Sequence, residues 1–218
     1  YISVTGVQTC ALPILSVALL GGDDVPAGAH DDRPAALDAW GISRPFVLCV
    51  GADEPRKNLE IARRAVRTLR ARGLGVELVC VGPRKRALMH DDGVRELGFV
   101  TERELSTLYA AAAALVIPST YEGFGLPLLE AMRAGTPAIS ARAASLPEVG
   151  GDAVMYVGAQ DVRGLASAIE RCALDPAWRA ELSARGRVRA RQFRWADTAR
   201  VTLETFRAAI AGHASAPA

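Results

Sequence analysis

The chain has 218 residues, of which 50% are hydrophobic, and a formal net charge of +2. This length allows one or two domains with a sizeable core, and the nearly balanced charge gives no strong case for binding nucleic acid or an anionic membrane. No apolar run reaches the length of a membrane span, and no Cys-x-x-Cys pair or Cys/His cluster suggests a metal site. Cys49 and Cys80 lie in apolar, strand-like runs and are expected to be buried thiols, which favours a reducing, cytoplasmic setting.

The first residues predict a truncated chain. There is no initial Met, and residues 4–14 resemble the translation of a common short-read sequencing adapter. We therefore expect residues 1–14 to be an artefact and the N-terminal half of the natural protein to be missing. The alternatives are a real apolar segment and a signal peptide, but the segment lacks the basic start of a signal peptide. Residues 15–45 are then the remnant of an interdomain link and a lead-in to the next domain.

The rest of the chain alternates between strand and helix patterns. Apolar runs predict strands over residues 15–22, 46–51, 76–82, 94–100, 114–117, 137–140 and 154–157, with a charged linker over 83–92. Helical periodicity predicts helices over residues 34–40, 57–72, 101–113, 127–135, 161–174, 175–191 and 195–211, followed by a frayed tail over 212–218. This alternation predicts an α/β fold, a Rossmann-like, doubly wound parallel sheet with C-terminal helices, over residues 46–211. Ligands of such sheets bind at the carboxyl ends of the strands.

Helix caps are predicted at three places. Thr101 with Glu104, and Ser145 with Glu148, have the spacing of a capping box. Asp175, just before a proline, predicts a further N-cap.

The most informative stretch is STYEGFGLPLLEAMRAGTP, residues 119–137. A glycine-rich loop follows a predicted strand and leads into a helix whose first turn holds Pro127, where a missing N–H costs nothing. Glu122 and Glu130 flank this loop. A helix N-terminus has unpaired N–H groups and a positive partial charge, so the loop is a candidate anion site.

A second candidate anion contact follows the strand at residues 46–51. Arg56 and Lys57 could donate charge-assisted hydrogen bonds to phosphate oxygens there. The alternative is an ordinary solvated first turn of a helix. Cations at that position oppose the helix dipole, which favours a functional anion.

Two glutamates with seven residues between them, Gly-Phe-Gly-Leu-Pro included, resemble the signature of glycosyltransferase family 4. The similarity continues in VGADEPRKN, residues 50–58, and in LPEV, residues 146–149. It spans roughly residues 15–211 and covers the C-terminal, donor-binding half of the family's GT-B fold. Family members are retaining enzymes that use nucleotide sugars. The resemblance therefore implies a hexosyltransferase that moves a sugar to an acceptor hydroxyl, this chain being its donor-binding half.

The resemblance also implies roles for single residues. Lys57 and Arg56 hold the diphosphate, Glu122 lies beside the donor sugar, and Glu130 accepts hydrogen bonds from the ribose hydroxyls. The other binding residues expected are Gly51, Gly98, Val100, Gly123, Phe124, Gly125 and Leu126, with Gly98 and Val100 meeting the base through their backbone. Some relatives carry an arginine directly after the strand glycine, where this chain has Ala52. Either Arg56 takes that role or the donor is held differently.

The sequence carries no Gly-x-Gly-x-x-Gly turn, P-loop or Asp-x-Asp motif, so transfer without a metal or a cofactor is expected. The expected partners are a nucleotide-diphosphate sugar and a glycan or lipid-linked acceptor, held by the missing N-terminal domain. The full-length enzyme is expected in the cytoplasm or peripherally at the inner face of the membrane. Two alternatives stay open, a non-catalytic nucleotide-binding fragment and a GT-B sugar-nucleotide epimerase. The donor sugar and its base stay open as well.

Overall fold

A computed structural model describes residues 20–21, 37–42, 45–84, 90–91 and 93–214. Within them, the strands are β1 (Phe46–Val50), β2 (Glu77–Val81), β3 (His90–Asp91), β4 (Val94–Gly98), β5 (Ala114–Ile117), β6 (Ala138–Ala141) and β7 (Met155–Val157). They form one sheet in the order β3-β4-β2-β1-β5-β6-β7. All neighbours pair in parallel except β3 and β4, which are antiparallel.

Helices cover both faces of the sheet. In the described part of the chain they are α1 (Leu59–Ala71), α2 (Glu102–Ala111), α3 (Leu126–Ala134), α4 (Leu146–Gly150), α5 (Val162–Leu174), α6 (Pro176–Ala190) and α7 (Trp195–Ala214), with a 3-10 turn at Pro55–Lys57. Residues 37–39, within the helix predicted over 34–40, are helical as well. Helices α1 and α5 pack on one face, over side chains such as Val47 and Leu78. Helices α2, α3 and α4 pack on the other, over Leu48 and Leu115.

The order of the strands reverses between β1 and β5. Strand β1 pairs with β2 on one side and with β5 on the other. The chain first builds outward through β2 and β4, and then returns to build outward through β5, β6 and β7. In open α/β sheets this reversal opens a crevice at the carboxyl ends of the two strands, and ligands bind there. The loops that follow β1 and β5 therefore meet at the expected ligand site.

Most predicted elements are confirmed. The strands expected at 46–51, 76–82, 94–100, 114–117, 137–140 and 154–157 are present with ends shifted by at most two residues. The capping box at Thr101 is formed, since its hydroxyl accepts from the Glu104 N–H at 3.3 Å and the Glu104 carboxylate accepts from the Thr101 N–H at 2.7 Å. Asp175 caps α6 by accepting from the Trp178 N–H at 2.9 Å. The thiols of Cys49 and Cys80 are buried and free.

Four predictions are wrong in detail. Ser145 does not cap α4, because its hydroxyl donates instead to the backbone oxygen of Glu122 at 2.9 Å. The charged linker contains β3, which adds an antiparallel edge to the sheet. The helix predicted from residue 57 begins as a 3-10 turn, because Asn58 takes a left-handed conformation with φ 53° before α1 starts. Helix α7 continues to Ala214, past the predicted end at 211, since a single glycine within a helix costs only about 1 kcal/mol.

Some predictions fall outside the described residues. These are the expected artefact at residues 1–14, most of the link at 15–45 and the last four residues of the tail. Of the strand predicted over residues 15–22 only Leu20 and Gly21 are described, and neither lies in a strand. Among the helices that are described, none is long and apolar enough to cross a membrane.

Candidate functional site

The loops after β1 and β5 are bonded to each other. The Thr120 N–H donates to the backbone oxygen of Arg56 at 2.8 Å. Asn58 adds a bridge, because its side-chain amide donates to the backbone oxygens of Pro118 at 3.1 Å and Ala159 at 2.7 Å. Asn58 has a left-handed backbone conformation, which asparagine tolerates better than most residues. The two loops thus form one rigid wall of the crevice.

Glu122 is the centre of the charged part of the site. Its side chain is 8% exposed, and the Lys57 ammonium donates to Oε1 at 2.6 Å. The Ser119 hydroxyl donates to the same oxygen at 2.7 Å, and the Arg56 guanidinium reaches Oε2 at 3.3 Å. The three residues predicted to be catalytic are therefore brought together from positions about 65 residues apart in the chain.

The two basic side chains differ in their access to solvent. Arg56 is 43% exposed and also pairs with Glu54 at 2.7 Å. Lys57 is 13% exposed and lies against Gly51, whose φ is +133°. A Cβ at Gly51 would come within 3.0 Å of the Lys57 stem, so the glycine makes room for the lysine. Charged N–H donors at an open crevice can bind an anion.

Glycines shape the second part of the site, at the start of α3. Gly125 precedes the helix with φ +95°, a conformation that favours glycine, and a Cβ there would meet a Leu146 methyl group at 2.8 Å. Around Gly123 a Cβ would meet nothing within 4 Å, so space is open beside it. Phe124 packs edge-on against Phe193, with ring centroids 5.9 Å apart, and anchors the loop. An anchored loop that leads into a helix N-terminus is a suitable anion site, as the sequence predicts.

Glu130 lies on α3, within a turn and a half of that N-terminus. The Tyr109 hydroxyl donates to Glu130 Oε2 at 2.7 Å. Burial and the neighbouring Glu130 charge raise the pKa of Tyr109 well above its usual range. The contact joins α2 to α3 across 21 residues, and no sequence pattern predicts it.

The predicted base-binding segment follows β4. Gly98 has φ +69° and its backbone oxygen accepts from the Gly82 N–H at 2.7 Å. Val100 is half-buried against the core. Phe99, between them, is 87% exposed. The segment lies at the carboxyl edge of the sheet, as expected.

A buried charged cluster that was not predicted from the sequence lies beneath the loop after β1. Glu96, in β4, is fully buried and accepts from Arg63 at 2.7 Å, with the Arg84 guanidinium 3.6 Å away. Arg84 also donates to the backbone oxygens of Gly51 at 2.8 Å and Gly82 at 3.0 Å. Glu96 within an apolar strand pattern could have indicated this cluster, because a buried carboxylate is normally paired with a basic residue.

Opposing effects act on the pKa of Arg63. Burial lowers it, while the hydrogen bond to Glu96 and nearby negative charges, that of Asp53 included, raise it above its usual value. The guanidinium therefore stays charged. Among the described residues, no group of three or more His, Cys, Asp or Glu side chains is placed to hold a metal ion.

Comparison with known proteins matches this arrangement to a family. The family described as Glycosyl transferases group 1 matches residues 44–175. O-antigen chain mannosyltransferase B of Escherichia coli is 36% identical over 183 residues, which are 78% of this chain and 46% of that protein. D-inositol 3-phosphate glycosyltransferase of Saccharomonospora viridis is 34% identical over 212 residues, which are 87% of this chain and 49% of that protein.

Solved structures give the same fold. Sucrose-phosphate synthase of Thermosynechococcus elongatus superposes with a TM-score of 0.68 at 28% identity, covering 86% of this chain and 52% of that chain. Anabaena HepE, solved in complex with UDP and glucose, superposes with a TM-score of 0.67 at 20% identity, covering 84% and 53%. At that identity the second likeness shows the fold alone. The chain spans about half the length of the relatives described here.

Proposed function

The chain belongs to the family of group 1 glycosyl transferases and has the Rossmann-like fold of one half of a GT-B enzyme, and we propose that it binds the nucleotide-sugar donor for a retaining sugar transfer. The observation that carries the proposal is the convergence of Lys57, Arg56 and Glu122 where the strand order reverses. Glu130 follows on the helix that leaves the same loop. The crevice thus combines side chains that can donate hydrogen bonds to phosphate oxygens with a carboxylate that can accept them from a pair of neighbouring hydroxyl groups.

The diphosphate of the donor is placed between Lys57 and Arg56 on one side and the N-terminus of α3 on the other. Both sides are positive, the first by full charges and the second by unpaired N–H groups. The open space beside Gly123 leaves room for a phosphate to approach the backbone. Because Ala52 carries no charge, Arg56 takes the role of the second cation.

The ribose is assigned to Glu130. A carboxylate accepts hydrogen bonds at two oxygens, which suits two neighbouring hydroxyl groups. Glu122, held by Lys57 and Ser119, faces the sugar that is transferred. The base is assigned to the backbone at Gly98 and Val100.

In the proposed reaction the bond between the sugar and the diphosphate breaks on the same face at which the acceptor oxygen attacks. The leaving phosphate oxygen takes the acceptor proton, so the configuration is retained and no separate protein base is needed. Lys57, Arg56 and the N–H groups at α3 stabilise the charge that develops on the leaving group. Groups placed in advance for a developing charge are usually the largest single contribution to catalysis. The required positive charge comes from the chain itself, so the proposal includes neither a metal nor a cofactor.

The transferred sugar is proposed to be a hexose. Several relatives are named mannosyltransferases, among them O-antigen chain mannosyltransferase B of Escherichia coli and MMP alpha-(1->4)-mannosyltransferase of Mycolicibacterium hassiacum, which is 34% identical over 182 residues. A mannosyl donor is therefore the first to test. The acceptor, the peripheral membrane association and the cytoplasmic location of the whole protein stay predictions from the sequence.

Calorimetric titration of the folded chain with UDP, GDP and ADP tests the proposal. One of the three is expected to bind, and Glu130→Ala to remove that binding. Glu148→Ala, at an exposed glutamate on α4, is the matched control and is expected to bind like the parent. Failure of all three diphosphates to bind, both to the folded chain and to a longer protein that contains it, contradicts the proposal.

A further inference from the structure

Tyr109 stands out because a buried side chain with no place in the proposed reaction bonds directly to a proposed binding residue. The side chain is 2% exposed, and its hydroxyl donates to Glu130 Oε2 at 2.7 Å. Donors that bond to an ionised carboxylate form shorter and stronger hydrogen bonds than neutral pairs do. The contact therefore constrains the carboxylate of Glu130 as well as satisfying the buried hydroxyl.

Both ends of Tyr109 are held. Its backbone oxygen accepts from the buried hydroxyl of Thr136 at 2.7 Å, just past the end of α3. Its ring lies in the core between the sheet and the helices, beside residues such as Leu108 and Met132. A side chain fixed at the backbone, the ring and the hydroxyl has little freedom to move. It can therefore fix what it bonds to.

The hydroxyl is also a permanent donor. Because burial and the Glu130 charge raise the pKa of Tyr109 well above its usual range, the phenol stays protonated at working pH. A carboxylate offers about four acceptor positions, so the bond from Tyr109 occupies only part of that capacity. Loss of this bond would give the carboxylate more rotamer freedom, and ordering it again would oppose ligand binding.

We propose that Tyr109 is a positioning residue that orients the Glu130 carboxylate toward the vicinal hydroxyls of a ribose, and so sets the preference of this site for ribonucleotides over deoxyribonucleotides. The proposal rests on the proposed function, in which Glu130 binds the ribose. It adds that selection of the sugar within the nucleotide depends on a residue that does not touch the ligand. The alternative is that the hydrogen bond serves only to stabilise the packing of α2 on α3.

The decisive measurement compares two ligands in two proteins. Dissociation constants are measured for the ribonucleoside diphosphate that binds best and for its 2′,3′-dideoxy counterpart, in the parent chain and in Tyr109→Phe. The variant is expected to bind the ribonucleotide about ten-fold more weakly, the factor that corresponds to one net hydrogen bond, with little change for the dideoxy ligand. The discrimination between the two ligands then falls by the same factor.

The possible outcomes distinguish the positioning role of Tyr109 from nucleotide binding itself. Equal losses for the two ligands, or no loss, overturn the positioning role while leaving nucleotide binding in place. Absence of binding in the parent overturns both. Tyr156→Phe is the matched control, because it also removes one hydroxyl hydrogen bond, at 3.2 Å to the backbone oxygen of Leu146. It is expected to leave the discrimination unchanged.

A measurement on the unmodified chain covers the case in which Tyr109→Phe does not fold. The phenolic proton of Tyr109 is expected to exchange slowly with solvent and to be visible by NMR, because it is buried and hydrogen-bonded. Its resonance should shift when the ribonucleoside diphosphate binds, since the new ligand shares the same carboxylate. A resonance that stays in place at saturation with the diphosphate contradicts the proposal.

Discussion

Glu122 and Glu96 are each held between two basic side chains, yet one partner of each differs sharply in its access to solvent. Glu122 stands at the crevice, and its partner Arg56 is 43% exposed. Glu96 is fully buried, as is its partner Arg84, whose side chain is 1% exposed, and Arg63 is 10% exposed. The residue chemistry is the same at both places, while access to solvent differs.

This difference separates the proposed binding site at Glu122 from the structural support at Glu96. At Glu122 an incoming anion can share or replace the contacts of Arg56 without burying a new charge. At Glu96 no anion can enter, and the charges can only hold each other in place. The closed cluster nevertheless serves the open one, because the guanidinium of Arg84 bonds to the backbone oxygen of Gly51, against which Lys57 lies. A cluster of acidic and basic residues therefore indicates a ligand-binding site only when the structure shows that it is accessible to solvent.

The largest expected effect is on stability, at the closed cluster. Glu96→Gln leaves the guanidinium groups of Arg63 and Arg84 buried without a carboxylate between them. Breaking a buried pair in this way costs about 3–5 kcal/mol of the free energy of unfolding. Urea denaturation followed by circular dichroism measures the change.

Glu181→Gln is the control for that experiment, because Glu181 pairs with Arg185 on the surface of α6 and is 56% exposed. It should change the free energy of unfolding by less than about 1 kcal/mol. Similar losses in the two variants would show that the cluster at Glu96 has no special role.

The next effect is on function, at the open cluster. In the proposed reaction Lys57 stabilises the leaving diphosphate, so Lys57→Ala in a longer protein that contains this chain should lower turnover by roughly 10²–10³, or about 2.7–4 kcal/mol. Arg64→Ala, at an exposed position on α1, is the control and should retain full turnover. Equal turnover in the two variants argues against the assignment of Lys57.

Two glycines of the same loop, Gly123 and Gly125, should respond differently to substitution by alanine, because only Gly125 has a strained backbone and a close neighbour. Gly125→Ala places a Cβ at φ +95° and against Leu146, so it should cost about 1–3 kcal/mol of stability. Gly123→Ala meets no atom within 4 Å and should change stability by less than about 0.5 kcal/mol, while weakening nucleoside diphosphate binding. Thermal unfolding and calorimetry measure the two quantities. The same loss of stability in both variants contradicts the described loop geometry.

The smallest expected effect concerns the loop after β6. Ala144 has φ +46°, a left-handed conformation that costs a residue with a Cβ about 1–2 kcal/mol. Ala144→Gly should therefore stabilise the chain, by about 0.5–1 kcal/mol once the greater freedom of glycine in the unfolded chain is counted. A melting temperature that falls would mean that the strain at this position is absent.

The sequence predicted the parts of the fold that local pattern determines. Six parallel strands, the helices around them and the helix that follows the glycine loop all follow from runs of apolar residues and from breaker residues nearby. The prediction was wrong where a contact with a residue distant in the chain determines the local structure. Ser145 has the spacing of a cap, but the backbone of Glu122, 23 residues away in the chain, takes its hydroxyl.

The site divides in the same way. Lys57, Arg56 and Glu122 were predicted from motifs, and the structure brings them together. The contact from Tyr109 to Glu130 and the cluster around Glu96 link residues from different elements, which no local pattern reports. In the sequence, Tyr109 is only a tyrosine in an amphipathic helix and Glu96 only a charged residue in an apolar strand. Their partners are brought close by the packing of the helices on the sheet.

A crystal structure of the chain with the nucleoside diphosphate that it binds would show whether the donor occupies the crevice between the loops after β1 and β5. We expect phosphate oxygens within hydrogen-bond distance of Lys57 and the start of α3, and both ribose hydroxyls on Glu130. A nucleotide bound elsewhere, for example at the amino ends of the strands, or bound at the crevice with its ribose away from Glu130, would contradict this expectation.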